Sequence, residues 1–139
     1  MYSINIDPIT ILQALSDRTR LRILRVLLKN PKEEACLCEF SDSLQEPEYN
    51  VSRHLKILRQ SGLLSAQKDG RWVYHRLIND VRLKPYYRLV EDLQGFEQIF
   101  KEDEKRFREE TEKRTGSRCK KEGPSFVQSE KKVKGRGMG

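Results

Sequence analysis

Residues 63–77 read LLSAQKDGRWVYHRL, two strand-forming runs on either side of Asp69-Gly70. An Asp-Gly pair between such runs is among the strongest short hairpin signals, because a type I′ turn needs positive φ at its centre. The hairpin leaves directly from VSRHLKILRQSG, where Val51, Leu55 and Leu58 form an apolar stripe and Gly62 stands where a left-handed helix terminator belongs. A break at Gln45-Glu46-Pro47 separates this segment from a shorter helical pattern of Leu37, Phe40 and Leu44. Two short helices across a tight break make a helix-turn-helix, and a hairpin directly behind it is a wing. The expected fold class is therefore mainly α with a small β-hairpin, a winged helix-turn-helix.

The flanks supply scaffold. Asp7-Pro8 can cap and open a first helix carrying Ile9, Leu12 and Leu15, and Ser16-Asp17 opens a second with Leu21, Leu24 and Leu28 on one face, stopped at Asn30-Pro31. A last helix is expected from about Ile78 to residue 113, with Pro85 near its first turn and Leu83, Tyr87, Val90, Leu93, Phe96, Phe100 and Phe107 along one stripe. That stripe is too long for so small a core to cover, so much of it is expected to pair with a second copy of the chain. From Thr115 the composition turns to Gly, Ser, Lys and Glu. The division expected is a winged-helix and dimerisation domain over 1–114 and a basic, disordered tail over 115–139. The N-terminus has no signal core and no apolar run could span a bilayer, which points to a cytoplasmic protein with no membrane partner.

Most of the net charge of +7 is in residues 101–139, which hold 13 Lys/Arg against 8 Asp/Glu. Within the body the signal is local: Arg53, Lys56, Arg59, Lys68, Arg71 and Arg76 stand against Asp69 alone. At the front of the second helix of a helix-turn-helix, Ser52, Arg53 and His54 are placed to meet the major groove, where Arg can fork to guanine and Ser or His can reach phosphate or base edges. Tyr49, Asn50 and Lys56 are further DNA-contact candidates. Lys68 and Arg71, with Asp69 and Gly70 between them, form the wing tip and would approach phosphate or the minor groove. Trp72, Val73 and Tyr74 read as hairpin packing, and His75 as a strand surface residue.

Three cysteines, an odd number in a reducing compartment, are not a disulfide framework. Cys36 and Cys38 stand two apart. On a regular helix residues at that spacing point about 200° from each other, so chelation of one ion is expected to unwind the first turn of the helix that follows. Thiolates select soft ions, As(III), Sb(III), Cd(II), Pb(II) or Hg(II), over Mg²⁺ or Ca²⁺. The competing reading is that a cysteine thiol is a small buried hydrophobe.

ALSDRTRLRIL, CLCEF, VSRHLKILRQSGLL and KDGRWVYHRL occur in this order over residues 14–77. Together they resemble the ArsR/SmtB family of metalloregulatory winged-helix repressors, and within it the arsenical resistance operon repressors. The resemblance covers roughly residues 8–100. It implies a homodimer that binds an inverted repeat in double-stranded operator DNA and releases it when a soft or transition metal binds. Carried onto this chain, Cys36 and Cys38 are the ligands and As(III) or Sb(III) the inducer, with Cd(II) or Pb(II) on the same scaffold as alternatives. Ile9, Leu12, Val90, Leu93 and Phe96 are assigned to dimerisation.

Two departures are visible. Ser41 stands where those repressors often carry a third cysteine, and Pro47-Glu48-Tyr49 replaces the usual polar cap and Gln-Pro opening of the recognition helix. Cys119, whose neighbours Arg118 and Lys120 favour a thiolate, is the candidate third ligand. The family's other site, histidines and carboxylates on the last helix, is not expected, since His54 and His75 both lie earlier. No glycine-rich phosphate loop, HExxH or nucleophile elbow is present, so no enzyme and no organic cofactor are expected. The rival functional reading is a redox sensor in which Cys36 pairs with Cys119 or across the dimer. A winged helix with no inducer, or one that serves protein interaction, is the third.

Overall fold

The computed structural model describes residues 6–114. Helices α1 (Pro8–Leu15) and α2 (Arg18–Lys29) lead into a two-residue strand β1 (Ala35–Cys36), then α3 (Leu37–Leu44) and α4 (Glu48–Gln60). Strands β2 (Leu64–Asp69) and β3 (Trp72–Leu77) follow, then a 3-10 turn at Val81–Leu83, α5 (Lys84–Asp92) and α6 (Glu97–Glu112).

The expected starts and stops are set by caps. Asp7 accepts from the Ile9 N–H with Pro8 at the head of α1, and Asp17 accepts from the Arg20 N–H at the head of α2. Between α3 and α4, Gln45 takes the left-handed conformation (φ 56°) that ends one helix, and Pro47 opens the next without a side-chain cap. Gly62 (φ 90°) ends α4 in a Schellman motif: Leu63 N–H donates to Leu58 O and Gly62 N–H to Arg59 O.

β2 and β3 pair antiparallel from Leu64 opposite Leu77 to Asp69 opposite Trp72. At the tip only Gly70 has positive φ (66°), which is the sign pattern of a type II′ turn and corrects the expected type I′. β1 adds to the other edge of β3, Ala35 opposite His75 and Cys36 opposite Tyr74, so the wing carries a third strand that puts a cysteine into the sheet.

The last helix is the largest departure. It is two helices, broken between Leu93 and Phe96 where Gly95 has φ 109°. The break lets α6 fold back across α2 and α3. Phe107 stacks on Phe40 with centroids 6.1 Å apart, and Phe100 lies under the Arg25 guanidinium at 4.8 Å. Both Phe100 and Phe107 are buried inside one chain, and so is Val90. This corrects the expectation that the stripe awaits a second copy and that Val90 faces it. Leu93 and Phe96 are half-buried against the same core. Exposed apolar side chains sit instead on α1, at Ile9 (61% exposed) and Leu12 (46%), and on α5 at Leu89.

Candidate thiol site and nucleic-acid interface

Cys36 is the last residue of β1 and the N-cap of α3, with extended backbone (φ −93°, ψ 170°), while Cys38 lies in the helix's first turn. Because one cysteine is outside the helix and the other inside it, their side chains converge. The sulfurs are 3.1 Å apart. No turn has to unwind for both to reach one ion, which corrects the geometry expected from a regular helix. For thiolate–metal bonds of about 2.3 Å, a separation of 3.1 Å subtends roughly 85° at the ion, a bite that one centre can accept. Both thiols are buried beside Tyr74 and Trp72. They line a cleft of about 580 Å³ between α4 and the wing, together with Ser52, Arg59, Trp72 and His75.

The pair is held from behind. Cys36 and Glu39 form a capping box in which the Cys36 N–H donates to Glu39 Oε1 at 3.1 Å. Glu39 is itself buried, and both its oxygens accept from Arg114 at 2.7 Å. A third ligand is not at hand: among the described residues no three His, Cys, Asp or Glu side chains are grouped to hold a metal. Ser41 is buried with its hydroxyl donating to the Glu46 carbonyl at 2.6 Å. Cys119 lies outside the described residues. The donors that are present fit a soft, thiophilic ion and not Mg²⁺ or Ca²⁺.

On the recognition helix α4, Tyr49, Ser52, Arg53 and Lys56 are exposed, as are Lys68 and Arg71 at the wing tip. Asn50 is half-buried; its amide donates to Glu46 Oε1 (3.0 Å) and its carbonyl oxygen accepts from Arg53 Nη2 (2.7 Å), so it orients Arg53. His54 is not on this surface. It is 4% exposed, with Nδ1 accepting from Arg20 Nη1 at 3.0 Å. Arg20 also donates to the carbonyls of Ala14 and Gln13. Burial, with the nearby Arg53 and Arg20 charges, lowers the His54 pKa even though Asp17 opposes it. The imidazole is a neutral bolt between α4 and the α1–α2 corner, which corrects its assignment as a DNA reader. The signal was in the spacing: position 54 falls on the 51, 55, 58 stripe.

His75 is also buried rather than on the strand surface. Its Nε2 accepts from Arg59 Nη1 at 2.7 Å, and burial followed by the Arg59 charge lowers its pKa to about 4. It packs edge-on against Phe40 at 6.3 Å. Its register opposite Ala35 is set by β1, which is too short to be read from the sequence.

A second polar set joins α6 to the helix-turn-helix. Asp103, fully buried, accepts from Arg22 Nε (2.7 Å) and Nη2 (2.8 Å) and from Arg106 Nη2 (3.1 Å). Arg22 also donates to Leu44 O, and Arg106 to Ser43 O. Burial would lower the Arg22 pKa, but the hydrogen bond to Asp103 and the Asp103 and Glu46 charges leave it raised.

Residues 17–66, from the α2 cap into β2, match the family model described as bacterial regulatory protein, arsR family. An HTH-type transcriptional regulator of Methanocaldococcus jannaschii, MJ1325, is 37% identical over 83 residues, 60% of this chain and 90% of that protein. The chain belongs to the ArsR family. It is accordingly a DNA-binding transcription regulator of the winged-helix kind and not an enzyme. The arsenical resistance operon repressor of Escherichia coli is 44% identical over 70 residues, 50% of this chain and 58% of that protein. A cadmium resistance regulatory protein, CadC homolog, of Staphylococcus aureus is 32% identical over 71 residues, 51% of this chain and 57% of its own. The matched span is thus a little over half the length of these two resistance regulators. Among solved structures, HlyU of Vibrio cholerae, in one case described as reduced, superimposes with TM-scores of 0.52 and 0.53 at 28% identity, over 60% of this chain and 84% and 87% of those chains. No helix of the described residues is long and apolar enough to cross a membrane.

Proposed function

We propose that this ArsR-family chain is a homodimeric repressor that leaves its operator when a soft thiophilic ion, As(III) or Sb(III) first and Cd(II) or Pb(II) second, binds Cys36 and Cys38. The observation that carries the reading is the 3.1 Å sulfur separation at the junction of β1 and α3. Support comes from the resistance regulators named above. Arsenous acid and two thiols condense to a dithiolate that keeps one hydroxyl on arsenic, with loss of two waters; Cys119 of either chain could replace that hydroxyl.

The position of the pair supports a route for release. Cys36 is paired to the wing through Tyr74, and Cys38 belongs to the first helix of the helix-turn-helix. An ion bound by both ties together the two elements whose relative placement sets the spacing of α4 and the wing tip along DNA. Tyr49, Ser52, Arg53 and Lys56 on α4, with Lys68 and Arg71 on the wing, supply the DNA contacts. Ile9, Leu12 and Leu89 supply the dimer face, within a unit taken as residues 1–114, and the basic residues of 115–139 add attraction to phosphate.

A mobility or anisotropy assay on the DNA upstream of the chain's own gene, with arsenite, cadmium and zinc added in turn, tests this. Cys36→Ser and Cys38→Ser should each keep DNA binding and lose arsenite-driven release, since a hydroxyl matches a thiol in size but is a poor ligand for a soft ion. Release that survives both substitutions would refute it. The same sulfur proximity favours a redox reading, in which an oxidant such as a peroxide takes two electrons as the thiols lose two protons and join. Release by arsenite under strong reductant, with no oxidant present, separates the two.

A further inference from the structure

The capping box that turns Cys36 toward Cys38 does not stand alone. Its acceptor, Glu39, is a carboxylate buried in the protein, and a carboxylate there is tolerated only if it is paired. The partner is 75 residues away in sequence. Arg114, directly after the last turn of α6, grips both Glu39 oxygens with Nε and Nη2, each at 2.7 Å. The same Nη2 donates to the Glu34 carbonyl at 2.6 Å, and Nη1 reaches Glu33 Oε1 at 3.3 Å. The guanidinium also lies over the Tyr74 ring, 5.9 Å from its centroid, and Tyr74 is the residue paired with Cys36 in the sheet. One side chain therefore touches the loop before the thiols, the helix that follows them and the strand beside them.

We infer that Arg114 is a positioning residue for the thiol pair: by neutralising and orienting Glu39 it keeps Cys36 extended at the head of α3, with its sulfur on the same side as that of Cys38. The two states differ in what is left unpaired. With Arg114 present, Glu39 satisfies the Cys36 N–H and is itself satisfied. Without it, a charged oxygen is left in a dry site, and swinging toward water to relieve it loosens the bond to the Cys36 N–H. Cys36 is then free to join the helical register, where residues two apart diverge. Arg114 makes no contact with the ion in this scheme; it preorganises the two donors, so binding does not have to order them.

This rests on the thiols being an ion site, and the experiment separates the two claims. The probe is Cd(II), titrated under reducing conditions and followed by ultraviolet thiolate-to-cadmium absorption, with DNA release measured in parallel on the full chain. Arg114→Gln should bind Cd(II) about ten- to a hundredfold more weakly than the wild type, the scale of losing hydrogen bonds to a charged group. Arg108→Gln, which removes an exposed ion pair on α6, should leave the affinity unchanged. The decisive variant is the double substitution Glu39→Gln, Arg114→Gln. A glutamine at that position still accepts from the Cys36 N–H but carries no charge to strand, so the double variant should recover most of the lost affinity.

A merely structural bond would show the reverse, the double variant being no better than Arg114→Gln. That result, or a Cd(II) affinity of Arg114→Gln equal to wild type in a protein that still binds DNA, overturns the inference. If the wild type binds Cd(II) through these thiols, loses affinity with Arg114→Gln and yet stays on DNA, the clasp stands and the repressor-release reading falls.

Discussion

Replacing Asp103 by alanine should cost this chain about 3–5 kcal/mol, the range measured when one partner of a buried ion pair is removed. Three charge-assisted hydrogen bonds disappear, two to Arg22 and one to Arg106. At about 1.5–3 kcal/mol each they would total roughly 4.5–9 kcal/mol, but that sum overshoots. Arg22 keeps the Leu44 carbonyl at 2.7 Å and Glu46 at 3.5 Å, and the Arg106 side chain, 28% exposed, can turn to water. What remains is a guanidinium, 11% exposed, that has lost its main counter-charge. Urea unfolding followed by circular dichroism measures the effect. With a slope of about 1–3 kcal/mol per molar, the midpoint should fall by at least roughly 1 M. Protein concentration must be held fixed, because a dimer adds a mass-action contribution. A loss below about 1 kcal/mol would show that Arg22 is satisfied without Asp103 and that α6 is not pinned where the structure places it.

Arg53→Ala should weaken operator binding by about 1–3 kcal/mol and leave stability alone, whereas His54→Ala should lower the unfolding midpoint and leave base preference unchanged. A shifted sequence preference for the His54 variant, in a selection from random duplexes, would return that residue to the DNA surface. His75 ties stability to pH: its folded pKa is about 4 against 6.5 when exposed, so the unfolded chain takes the proton first. Stability should therefore be intact above about pH 7 and fall by up to about 3 kcal/mol as pH drops through 6.5 toward 4, and His75→Gln should flatten that slope in urea titrations. Leu12→Glu or Leu89→Glu should give folded monomers in analytical ultracentrifugation, while Val90→Glu should fail to fold, since it places a carboxylate in the core of a single chain. A soluble, folded Val90→Glu protein would contradict the core assignment.

The winged helix was legible because its punctuation is local. Gly62, Asp69-Gly70 and the capping Asp7 and Asp17 each fix a boundary through their own backbone or side chain, and the structure uses all of them. What escaped was set by residues distant in sequence. Gly95 gave no warning, since the apolar spacing continues on both sides of it and only the chance to bury Phe107 against Phe40 selects the bend. The two-residue β1 has no periodicity to detect, and its pairing with β3 places Ala35 opposite His75 and Cys36 opposite Tyr74. The neighbours Ser52 and Arg53 suggest an outward His54, whereas its own position on the 51–58 stripe points inward, where the structure has it.

The fold-back of α6 orders events in time. Asp103 stands 81 residues after Arg22 and Arg114 stands 75 after Glu39, so these braces on α2 and α3 join parts of the chain far apart in sequence. During synthesis every element from α1 to the wing leaves the ribosome before the helix that fastens it. Contacts of such long separation close slowly, because the loop entropy is met before they form. The cysteine turn and Phe40 are therefore made before the residues that brace and cover them. On the proposed reading, the side chain that braces the two thiols is the last of the described residues to be made.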